Sequence, residues 1–66
     1  NKDDAISAYK KAIEINPDYA GAYFNLFLFY FREKQYDLAV ECCDKAIGRG
    51  FKVPPEFLKA LEPHRK

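Results

Sequence analysis

Two adjacent cysteines, Cys42 and Cys43, are the most reactive side chains of this chain by type. Neighbours on a helix project about 100° apart, a poor geometry for a mutual disulfide. Their spacing also matches no zinc motif. Reduced, they serve as small apolar helix residues, the usage expected of a cytoplasmic protein. A redox switch or an intermolecular disulfide is the alternative. The single histidine, His64, follows Pro63 in a basic end, His64-Arg65-Lys66, that reads as a solvated tail. Ser7 lies mid-helix with no histidine near it in sequence. Asp3 and Asp4 sit at a helix start, where carboxylates favour the dipole. Glu14 and Asp18 bracket a helix end. None of these is an acid–base pair in a cleft, and the sequence has no Gly-rich phosphate loop. Neither an enzyme nor a cofactor or metal site is expected.

The elements that would position such residues belong to one small domain. A chain of 66 residues buries only about 60% of its unfolded surface. The net charge of +1, with both signs interspersed, gives no long-range field for nucleic acid or an anionic membrane. The longest apolar stretch, Tyr23 to Phe31, is interrupted by Asn25 and falls well short of the roughly 20 residues a membrane span needs. The chain starts at Asn1 and has no Met, which reads as a piece of a longer protein.

Apolar Ala5, Ile6, Ala8, Tyr9, Ala12 and Ile13 fall on one helical face. They predict a helix from Asp3 or Asp4, as cap, to about Ile15. Pro17 ends it by disfavouring helical geometry at Asn16. A second helix is predicted from about Tyr19 to Lys34. Asp37 is expected to cap a third, with Ala39, Val40, Cys43, Ala46 and Ile47 on one face. Gly48 and Gly50 end it. Residues 49–54 are a connector, and Pro55 opens a short fourth helix with Phe57, Leu58 and Leu61 as its apolar stripe. The fold class is all-α, four antiparallel helices joined by short turns.

The chain also repeats itself. Asp3, Ala5, Ile6, Lys11, Ala12 and Ile13 recur 34 residues later as Asp37, Ala39, Val40, Lys45, Ala46 and Ile47, and Tyr23-Phe24 is echoed by Phe57-Leu58. A period near 34 marks stacked helix–turn–helix units. Such units act as scaffolds whose concave face grips another protein. Tyr23-Phe24-Asn25-Leu26 with Tyr30, and Tyr36, Ala39, Cys43 and Ala46, resemble the two helices of a tetratricopeptide repeat. Ala5, Tyr9, Ala12 and Pro17 resemble the second helix and closing proline of a preceding one. The resemblance implies three parts: 1–17 as the end of one repeat, 20–53 as a complete repeat, and 54–66 as a capping helix and tail. Three positions depart from the family pattern. Phe27 stands where a small residue is preferred, Lys34 where a turn glycine is common, and Phe51 where a second proline is expected. The helix pair is therefore expected to splay or repack.

The second helix is apolar nearly all round, so every side of it needs cover. Tyr23, Leu26, Phe27 and Tyr30 read as core. Phe24, Leu28 and Phe31 form a stripe that three helices cannot surround, and an exposed apolar stripe marks a binding or self-association surface. The resemblance implies that this stripe, with Asn25 and with Arg32 at its edge, lines the concave groove. The expected ligand is a protein or peptide, with an apolar or amphipathic helix laid in lengthwise. The rival reading is a homo-oligomer formed through the stripe or the inner face of the first helix, by symmetric pairing or helix exchange. A carboxylate clamp for acidic chaperone peptides is the weaker option. Asn25 matches one clamp position, but Gly21 and Asn25 stand where Lys and Arg would be needed.

Overall fold

A computed structural model describes residues 2–65. Helix α1 spans Lys2–Ile15, α2 Ala20–Arg32, α3 Tyr36–Gly48 and α4 Pro55–Leu61, followed by a 3-10 turn at Glu62–His64. The fold is all-α, with no strand among the described residues. α2 is the central element, packed between α1 and α3, and the 3-10 turn rests on α3.

The turns follow from local chemistry. The Asn16 side chain accepts the Asp18 N–H at 3.2 Å, and the Tyr19 N–H returns to the Asn16 carbonyl at 3.0 Å. This side-chain-supported turn redirects the chain beside Pro17. α2 and α3 end in the same hydrogen-bond form. At the end of α2, Gln35 N–H donates to Tyr30 O at 2.9 Å and Lys34 N–H to Phe31 O at 3.2 Å. At the end of α3, Phe51 N–H donates to Ala46 O at 3.0 Å and Gly50 N–H to Ile47 O at 2.9 Å. This closure needs one residue in the left-handed region. Gly50 supplies it at φ +92°, whereas Lys34 is forced to φ +62° with a full side chain.

The expected helix starts need correction. Gln35, not Asp37, precedes α3, and no side chain caps it. Asp37 lies within the first turn, as Asp3 and Asp4 do in α1, where their carboxylates act on the helix dipole.

The core gathers Leu26, Phe27 and Tyr30 of α2, Ala39, Cys42 and Cys43 of α3, Val53 of the connector and Leu61 of α4. Ala39 and Ala46 are fully buried, and their small side chains let α2 and α3 approach closely. Ile47, expected on the same face, is 42% exposed. The buried face runs through Ala39, Cys43 and Ala46, and a residue one step further is turned about 100° away. Phe27 is fully buried. The site is repacked around its ring, with Phe24, Phe31 and Phe57 centred 5.5, 5.7 and 5.5 Å from it.

Two consequences are measurable by urea denaturation. Phe27→Ala matches the family's preference for a small residue, yet it lowers stability by about 3–5 kcal/mol, because here the ring fills the core. Lys34→Gly raises stability and Gly50→Ala lowers it, each by about 1 kcal/mol. A Cβ at Gly50 meets nothing within 4 Å, so that loss is conformational.

Candidate functional site

α2 carries the five residues expected to meet a partner, and its neighbours sort them into two groups. Asn25 and Arg32 are exposed, and Leu28 is half-buried between them. They stand at positions i, i+3 and i+7, one open flank of the helix. Phe24 and Phe31 are also half-buried, but each is engaged. The Phe24 ring stacks on Phe51 of the connector with centroids 4.5 Å apart, and it meets the edge of Phe57 at 5.9 Å. Phe31 meets Phe57 at 6.4 Å and Tyr36 at 5.7 Å, both edge-to-face. One ring of α4 therefore sits between the two ends of the stripe. Three helices alone would have left it open.

The C-terminal end differs from the expected solvated tail. The His64 ring is half-buried and lies parallel to Tyr36, with centroids 3.8 Å apart and planes 8° from parallel. Arg65 forms a two-pronged ion pair with Asp44. Nη2 donates to Oδ1 at 2.8 Å and Nη1 to Oδ2 at 3.1 Å. The carboxylate hydrogen bond pushes the guanidinium pKa further up. Lys66, the last residue of the expected tail, lies outside the described residues.

Another tie was missed by sequence reasoning. Arg49 Nε donates to the Pro17 carbonyl at 2.7 Å, Nη1 donates to Lys45 O at 3.1 Å, and the guanidinium lies 4.6 Å from the Tyr23 ring centre. Only the i, i+4 spacing of Lys45 and Arg49 hinted at it, by aiming two cations along one face. For Phe57, the 34-residue echo of Tyr23 was the available signal. No group of three or more His, Cys, Asp or Glu among the described residues could hold a metal ion. No helix among them is long and apolar enough to cross a membrane.

The helical hairpins, the buried alanines and the 34-residue echo define a helical-repeat protein of the interaction-scaffold class. The family model for the tetratricopeptide repeat matches residues 8–41, and the chain belongs to that family. It is 41% identical over 46 residues to a probable UDP-N-acetylglucosamine–peptide N-acetylglucosaminyltransferase SPINDLY of Hordeum vulgare, a stretch covering 70% of this chain and 5% of that protein. The SPINDLY protein of Oryza sativa subsp. japonica gives the same figures. A Hsp70-Hsp90 organising protein of Plasmodium falciparum is 31% identical over 64 residues, covering 97% of this chain and 11% of that protein. The chain thus spans a small fraction of the curated relatives it matches. No solved structure matches it significantly.

Cys42 and Cys43 are both unpaired and buried. Burial pushes the Cys42 thiol up from 9.0 to about 11. The Glu41 carboxylate adds to the rise, and Lys45 and Lys10 oppose it. Burial likewise raises Cys43, helped by Asp44 and opposed by Arg65. Both shifts reduce the thiolate that would attack an oxidant. At pH 8, a thiol at about 11 carries about 100-fold less thiolate than one at 9.0. Iodoacetamide should therefore label both cysteines slowly in the native chain and rapidly in urea, followed by mass spectrometry. Fast native labelling would restore the redox-switch reading.

Proposed function

We propose that this chain is a non-catalytic protein-interaction module that docks an apolar or amphipathic helix on the stripe of α2. Residues 20–53 would form the complete repeat that presents it. The observation that carries the reading is the flank formed by Asn25, Leu28 and Arg32. It offers an apolar side chain between an amide and a guanidinium, and Phe24 and Phe31 form its margin. Such a surface suits a helix with one apolar face and polar edges. The amide and the guanidinium can bond its backbone end or an acidic side chain. An acidic C-terminal peptide is less well matched, because Arg32 is the one cation among the five residues and Gly21 offers no side chain. Membership of a family of protein-binding scaffolds supports the general class.

The test is a titration of the chain against fluorescein-labelled amphipathic helical peptides and against acidic peptides with a free C-terminal carboxylate. The amphipathic set is expected to bind. Leu28→Asp should weaken that binding by roughly 2 kcal/mol or more, with the circular dichroism spectrum unchanged. Preference for the acidic set would remove the groove reading, and loss of helicity in Leu28→Asp would assign Leu28 to the core.

A further inference from the structure

The segment that follows α3 makes contacts that the docking reading does not use. We infer that the C-terminal turn is a latch. It holds α4 shut over the aromatic stripe of α2, and its release opens a seat for a partner helix patterned like α4 itself. The inference rests on the docking reading and names the partner's chemistry and the control of that site.

α4 has seven residues, too few to be helical on its own, so tertiary contacts hold it in place. The chief ones are Phe57, seated between Phe24 and Phe31 and edge-on to Phe27, and Leu61, which is fully buried. The connector itself is anchored, with Val53 in the core and Phe51 stacked on Phe24. The part that swings is therefore α4 with its turn, pivoting after Val53 at Pro54, which is extended at ψ 140°.

The fastening lies beyond the helix it closes. His64 stacks on Tyr36, and Arg65 forks onto Asp44. Both anchors belong to α3 rather than to α2, so the turn straps α4 across the pair. The ion pair is solvent-exposed, with side-chain exposures of 39% and 52%. Exposed pairs are weak and screened by salt, which makes the fastening reversible.

The partner's chemistry is read from what α4 places on the stripe. Phe57, Leu58 and Leu61 spell an apolar i, i+1, i+4 pattern, and Phe57 stands 34 residues after Tyr23. α4 thus occupies its seat as the opening helix of a further unit would. A helix from another protein with Phe-Leu-x-x-Leu meets the same rings. A second copy of this chain is disfavoured as donor, because its α4 is tethered beside its own seat at a high effective concentration.

The experiment uses the whole chain and a fluorescein-labelled synthetic peptide of residues 54–62 as probe, read by anisotropy. The latch-free variant is Asp44→Asn with His64→Ala. It is expected to bind the probe at least about tenfold more tightly than the unaltered chain. Raising salt from about 50 to about 500 mM should narrow the gap by loosening the unaltered chain. The charge swap Asp44→Arg with Arg65→Asp should return affinity toward the starting value, an effect that general destabilisation would not produce. Equal affinity for the unaltered, latch-free and charge-swapped chains would overturn the latch. If Leu28→Asp then abolished that binding, the docking reading would stand without it. If unrelated amphipathic peptides bound and the probe did not, the α4-like partner would be overturned alone. Failure of every peptide would sink both readings. A dimer of the latch-free variant in sedimentation, lost on Phe57→Ala, would make a second copy the occupant and overturn the partner-helix assignment.

Discussion

The Phe27 ring has no contact with solvent, and three other phenyl rings must be in place for that to hold. Phe24 and Phe31 flank it on α2, and Phe57 meets it edge-on from α4. Edge-to-face and offset arrangements of this kind add to the gain from burial alone. They also make the parts interdependent. α4 is held by a ring that lies on a different helix pair, and the stripe of α2 is shaped by a helix that is too short to stand alone. Small residues at Ala39 and Ala46 let α2 and α3 approach closely, while the large ring is accommodated on the side of α2 that meets α4.

Much of this architecture was legible in the residues. Asn16-Pro17 and Gly48-Gly50 are local stop signals, and the helices end where those residues require. The core positions on α2 and α3 follow from helical spacing, since Leu26, Phe27, Tyr30, Ala39, Cys43 and Ala46 repeat at three and four residues. Start signals were less reliable. An aspartate at a helix start serves equally as cap or as first-turn residue, and only the backbone path decides which. Asp37 proved to be the latter.

The candidate site was legible only in part, for a different physical reason. Helical spacing places Phe24, Leu28 and Phe31 on one stripe, but it says nothing about which distant segment lies over that stripe. Phe51, Phe57, His64 and Arg65 reach their partners across 21 to 33 residues of chain. A His-Arg pair after a proline looks like any solvated terminus until Tyr36 and Asp44 are found beneath it. Family membership does not fill this gap. The stretch shared with the curated relatives is a small fraction of their length.

Arg49 has a consequence for the order in which the chain folds. Its bond to the Pro17 carbonyl spans 32 residues, enough to enclose all of α2 and all of α3. The hairpin of α2 and α3 is built from nearer contacts, and nearer contacts close at lower entropic cost. The guanidinium can find both the carbonyl and the Tyr23 ring only after that hairpin has formed. A contact made late acts mainly on the rate of escape from the native state. Arg49 is therefore expected to slow unfolding more than it speeds assembly.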